Sequence, residues 1–107
     1  MTRSDFLLCA DISERTALRC DEAARTRLED TMEVSHGLKL QMGRRQAHGW
    51  YARVWSDGTY ACECSVHEYG RTPAEALRKA WRGAARYFRG RAEDFRAQAQ
   101  TAPEVAA

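Results

Sequence analysis

Proline and lysine are scarce in this chain of 107 residues, with two of each, Pro73, Pro103, Lys39 and Lys79. No Pro-, Gly- or Ser-rich linker divides it, so residues 1–100 read as one domain and 101–107 as a frayed tail. Long apolar runs are missing too. Phe6 to Ala10 lies between Asp5 and Asp11 and falls far short of the roughly 18 apolar residues of a membrane helix. It is likewise too short for a signal peptide, which points to the cytosol and to Cys9, Cys20, Cys62 and Cys64 as thiols. A large charge excess is also absent. With 17 basic and 15 acidic residues the net charge is +2, which excludes an acidic mimic of nucleic acid and a uniformly basic coat. A chain this size buries about 60–70% of its unfolded surface, leaving little volume for a deep cofactor cavity.

What is present is lopsided: 15 arginines and 18 alanines. A GC-rich genome gives that balance as background. Arginine is also preferred where planar, bidentate pairing with carboxylate or phosphate matters, so the positions of the arginines must decide.

Asp11-Ile12-Ser13-Glu14 has the form of a capping box and opens an amphipathic segment through Ala17, Cys20, Ala24, Leu28 and Met32. The expected helix is 12–36, stopped by His36-Gly37, with Phe6 to Ala10 either an early start from Ser4 or a short edge strand. Alternation at Leu38, Leu40 and Met42 predicts a strand over 38–43. Two further strands, 50–56 and 59–67, flank Asp57-Gly58, the preferred two-residue hairpin turn. Thr72-Pro73-Ala74-Glu75 is a second capping box and begins a helix over 73–98, in which Gly83 and Gly90 are weak points. The fold class is therefore α+β, a three-stranded antiparallel sheet flanked by two helices in the order α-β-β-β-α.

A two-residue turn at Asp57-Gly58 would pair Trp55 with Tyr60, Arg53 with Cys62 and Tyr51 with Cys64. One face then collects Tyr51, Arg53, Trp55, Tyr60, Cys62, Cys64 and Val66 and is expected to lie under the helices, with Arg53 as its misfit. The other carries Trp50 and Val54 as an exposed apolar patch, a candidate partner surface unless the segment before Asp11 or a second copy of the chain covers it.

Candidates for chemistry are few. Cys62-x-Cys64-x-x-His67 holds zinc-ligand residue types, but the strand alternation turns His67 away from the cysteines, so no metal site and no cofactor is expected. His36, His48 and His67 stand in no nucleophile-base setting, and no phosphate-binding glycine loop occurs, so a non-catalytic protein is expected. Charge placement carries more. Residues 1–36 hold five basic and eight acidic residues, and residues 71–107 hold eight basic and four acidic. Arg78, Arg82, Arg86 and Arg89 recur at helical spacing with Lys79 beside them, a candidate dock for phosphates or for an acidic protein.

The segments Gly49-Trp50-Tyr51-Ala52 and Gly70-Arg71-Thr72-Pro73-Ala74-Glu75-Ala76-Leu77 carry two resemblances. The Gly-Arg-Thr junction into an Ala-rich helix resembles the double-stranded RNA-binding domain. The strand-Asp-Gly-strand unit followed by Gly-x-Thr-Pro-x-Glu-Ala-Leu is similar to HicB-type antitoxins and small phage proteins. Both imply the helix, three-strand, helix fold and, for function, contact with RNA or DNA. Pro73, Ala74 and Glu75 stand where the RNA-binding family sets phosphate-gripping lysines, so what carries over is the fold. Small Arg- and Ala-rich chains of this form also look like phage and mobile-element accessory proteins. The leading expectation is a binding module that blocks a larger host protein or nucleoprotein complex, anti-CRISPR-like, through Arg78, Arg82, Arg86, Arg89, Lys79, Trp50 and Val54; the alternative is a nucleic-acid-binding module of either resembled type, and a small enzyme is a disfavoured second alternative.

Overall fold

The computed structural model describes residues 1–26, 38–45, 49–56 and 64–104. In chain order these form α1 (Arg3–Thr26), β1 (Leu38–Arg45), β2 (Gly49–Ser56), β3 (Ser65–Gly70) and α2 (Pro73–Thr101). The sheet is antiparallel with strand order β1-β2-β3, as the sequence predicts. His36-Gly37, His48, Asp57-Gly58 and residues 59–63 lie outside the described residues.

The first helix begins nine residues earlier than its apparent cap. Thr2 and Asp5 cap it reciprocally: the Thr2 amide donates to Asp5 Oδ2 at 2.8 Å, and the Asp5 amide donates to Thr2 Oγ1 at 3.3 Å. The Thr2 amide, and after it the Thr2 hydroxyl, which donates to Asp5 Oδ2 at 2.9 Å, hold the Asp5 carboxyl below its ordinary range. Asp11 and Glu14 are instead spent on ion pairs, with Arg15 on the same helix and with Arg96 on α2. Phe6 to Ala10 is helical, and the Phe6 ring meets Phe95 at a centroid separation of 6.4 Å. At the other helix the expected cap forms. Thr72 Oγ1 accepts from the Glu75 amide and Glu75 Oε2 accepts from the Arg71 amide, both at 3.1 Å.

Each helix carries a seven-residue repeat of small and aromatic positions. On α1 these are Phe6, Ala10, Ser13, Ala17, Cys20 and Ala24; on α2, Trp81, Ala85, Phe88, Ala92, Phe95 and Ala99. All but the half-buried Phe6 are buried. Alternating steps of four and three keep such residues on one stripe, and small side chains let two helices approach closely. Glu14 pairs with Arg96 and Asp21 with Arg89, so one step of seven along α1 matches one step back along α2, and the two run antiparallel in register. The tail is tied in as well: Pro103 O accepts from the Arg3 amide, and Glu104 pairs with Arg3, both at 2.7 Å.

α2 joins the parts. Its first half packs on β2 and β3 and touches β1, while α1 lies along it. The contact with the sheet is close at Gly83, where an added Cβ would stand 2.7 Å from Val66 Cγ1; at Gly90 nothing lies within 4 Å. The two glycines therefore respond oppositely to alanine. Gly90→Ala gains about 0.5–1 kcal/mol of helix stability, whereas at Gly83 overpacking of about 1–3 kcal/mol outweighs that gain. Thermal unfolding followed by circular dichroism should show a higher Tm for the first variant and a lower Tm for the second; equal shifts would refute this packing.

The register of β3 differs from the one the Asp-Gly signal implies. Val54 pairs with Val66 and Tyr51 with Tyr69, and Ser56 faces Cys64, whose backbone carbonyl accepts from the Ser56 amide at 2.9 Å. Seven residues, 57–63, therefore connect the paired positions, not two. The slip is an odd number of residues, so it exchanges the faces on which β2 and β3 residues meet. Ala52 and Val54 are fully buried against α2, and Leu40, Met42, Trp50 and Val66 pack around them.

Candidate nucleic-acid interface

The inverted register corrects two expected partner residues. Val54 is 0% exposed and Trp50 is half-buried against the core, so neither forms a free patch. What lies open is the opposite face: Lys39, Gln41, Gly43 and Arg45 from β1; Gly49, Tyr51, Arg53 and Trp55 from β2; Ser65, His67 and Tyr69 from β3. No described helix covers it.

Pairing places the aromatic side chains next to one another. Tyr51 sits directly opposite Tyr69, and His67 opposite Arg53. The His67 ring stacks on Tyr69 at 5.3 Å with planes 22° apart and meets Tyr51 edge-on at 5.5 Å. Gly43 makes room for this: a Cβ there would fall 2.4 Å from the Tyr51 ring, which lies across the neighbouring strand. Gly49, at φ +101°, lies tight against the end of β3, where a Cβ would stand 2.4 Å from the Gly70 carbonyl oxygen. The Arg45 guanidinium reaches Tyr69, 4.2 Å from the ring centroid. Arg53 lies over Trp55 in the same way at 4.7 Å. Among the described residues this face has three full cations, Lys39, Arg45 and Arg53, with neither an acidic residue on the face nor an ion-pair partner for any of them.

The arginine stripe of α2 divides. Arg89 pairs with Asp21 of α1, and Lys79 pairs with Glu75 at 3.2 Å while donating to Tyr69 O at 3.2 Å. Those two cations are structural. Arg78, Arg82 and Arg86 have no acidic partner among the described residues. Arg86 borders a shallow open cleft of ≈ 500 Å³ with Ser65, Val66, Glu68, Gly83 and Tyr87, which puts it beside the exposed edge of β3. Arg86 thus stands at the β3 edge beside Glu68, while the cations of the open face lie on β1 and β2.

Cys64 is buried and His67 is on the open face, while Cys62 is outside the described residues. Among the described residues no three metal-ligating side chains converge. Burial pushes the Cys20 thiol up to about 12, with a smaller contribution from nearby Cys64. A buried thiol held in its neutral form is a poor nucleophile at neutral pH. Iodoacetamide at mildly alkaline pH should leave Cys20 unmodified in the native protein and modify it once denatured, as read by peptide mass spectrometry; native labelling would show that the helix pair opens.

The signal for the open face was present in the sequence as Arg53, an unpaired charge at the centre of a face expected to be buried. No helix among the described residues is long and apolar enough to cross a membrane. Comparison with protein-family models, with curated proteins and with solved structures finds no match.

Proposed function

We propose that the protein is a non-catalytic nucleic-acid-binding module whose contact surface is the open face of the sheet. One observation carries this: among the described residues three unpaired cations share the face with four aromatic rings and no carboxylate. Cations spaced along neighbouring strands suit a chain of phosphates, and Arg78, Arg82 and Arg86 add positive potential on α2. The guanidiniums over Tyr69 and Trp55 are held by exposed cation–π contacts worth about 0.5–1 kcal/mol each. A charge-assisted hydrogen bond to phosphate is worth about 1.5–3 kcal/mol, so both arginines gain by turning to a nucleic-acid backbone.

The blocking of an acidic protein surface would use the same cations, and exposed rings beside arginine also suit a protein interface. Fluorescence anisotropy on labelled single-stranded and duplex oligonucleotides distinguishes the two readings. The nucleic-acid reading expects affinity that falls steeply as salt rises from about 50 to 200 mM, with a log–log slope near −0.7 to −0.9 per phosphate neutralised. Absence of binding to either probe at the lower salt eliminates it.

A further inference from the structure

Taking that reading as its basis, we infer that the ligand is an unpaired strand, RNA or DNA, whose bases stack on the rings of the open sheet face while its phosphates meet Arg45, Arg53 and Lys39. In a duplex the π-faces of the bases are already stacked on one another, and only their edges show in the grooves. A protein that reads a duplex directly needs an element to enter a groove. Among the described residues none rises from this face, and its rings lie along the strands of the sheet. Rings that stay on a sheet surface can do little for a duplex, yet they are what an unpaired strand requires.

The placement of the rings supports a short track. Tyr51 and Tyr69 are direct neighbours across β2 and β3 with His67 packed against both, and Trp55 lies on the other side of Arg53. Tyr69 is 44% exposed, a large ring left open at an edge strand. The two guanidiniums that now lie over Tyr69 and Trp55 mark where bases go. Each arginine holds its ring face in the free protein, and on binding it gives up that place to a base and moves to the adjoining phosphate. Stacking is sequence-tolerant because every base has a π-face, so little preference among bases is expected.

The test compares four probes on the whole protein at fixed salt: a labelled oligothymidylate, an oligouridylate, a duplex of equal length, and an abasic oligonucleotide with the same phosphates and no bases. The unpaired probes should bind roughly tenfold or more tighter than the abasic one and the duplex, since one to a few stacked bases supply that factor. Tighter binding of either thymidylate or uridylate supports the proposal, and an oligodeoxyuridylate, which shares its base with the uridylate probe, names the sugar. Tyr69→Ala and Trp55→Ala should each lower oligothymidylate affinity about tenfold with the salt slope unchanged, and Tyr69→Phe should restore it. Arg45→Ala should lower both the affinity and the slope. Equal binding of the abasic and base-bearing probes, or of the duplex and the single strand, overturns this inference and leaves a phosphate-reading nucleic-acid binder standing. Failure to bind any probe removes the function proposed above as well. Competition by polyglutamate as strong as that by oligothymidylate would likewise overturn the inference, because the face would then be reading acidity alone.

Discussion

Val54→Glu should leave the protein unfolded, while Arg53→Glu, one residue away, should fold and lose nucleic-acid binding. Val54 is 0% exposed at the centre of the face that α2 covers, and a carboxylate there has no cation within the core cluster to meet it. An uncompensated buried charge costs about 3–5 kcal/mol, with the lost apolar burial added to that. Set against a total stability of about 5–15 kcal/mol for a domain of this kind, little folded protein remains. Arg53 points to the other side, over Trp55, and its replacement would remove one of the phosphate contacts proposed above and add a repulsive charge. Affinity should fall roughly tenfold or more at low salt, as expected for one charge-assisted hydrogen bond. Far-UV circular dichroism and anisotropy on the two purified variants provide the check. A folded Val54→Glu protein together with an unfolded Arg53→Glu protein would mean that the faces are reversed and would remove the proposed interface with them.

Trp81→Ala is the second large effect. Trp81 is the largest fully buried side chain described, sitting on the α2 stripe that faces α1. Truncating a buried tryptophan costs about 3–5 kcal/mol through lost packing and the cavity left behind. The unfolded fraction should therefore rise by about two to three orders of magnitude. Trp81→Phe should be much milder. Among the described residues the indole Nε1 of Trp81 has no hydrogen-bond acceptor, and a buried donor without a partner costs about 1–3 kcal/mol. Phenylalanine removes that donor, which offsets part of the packing it gives up. Urea unfolding should show midpoints in the order wild type, Phe, Ala with a common m-value. A Phe variant as damaged as the Ala variant would show that the indole N–H is satisfied after all.

Local chemistry was legible wherever one signal had one reading. Thr72, Pro73 and Glu75 start α2 as a cap should, and Leu38, Leu40 and Met42 alternate because one face of β1 is buried. Errors arose where a signal had two. Asp11-x-x-Glu14 has the form of a cap, yet helix-forming residues continue back to Thr2, which has a carboxylate of its own three positions on, and the inner box turns to ion pairing. Asp57-Gly58 suits a two-residue turn, but a turn preference of this size is outweighed by the burial that pairing Val66 with Val54 achieves. Register is non-local, so one odd slip recombined the faces: Trp50 and Val54 of β2 came to lie on the covered side, while Cys64 and His67 kept the sides expected of them. Arg53 recorded the conflict, since an arginine mid-strand between Ala52 and Val54 sits most easily on a face opposite to theirs. The heptads of Phe6, Ala10, Ser13 and of Trp81, Ala85, Phe88 were equally readable. Their weight was hidden because alanine is a poor marker of burial until its partner helix is known.

The helix pairing also bears on the order in which the protein is made. α1 is translated first, but the surface that buries its Ala10-Ala17-Ala24 stripe belongs to α2, which begins at Pro73. During synthesis a helix with Phe6, Cys9 and a seam of alanines on one side therefore emerges without a mate, and at about 5–20 residues per second it waits several seconds for one. A stripe of alanine suits that interval, because it offers little apolar area for a wrong partner while it stands alone. The same modest area gives α1 little reason to hold its shape before α2 arrives, so its docking should be a late event, set by completion of α2 and not by the speed at which α1 itself can coil.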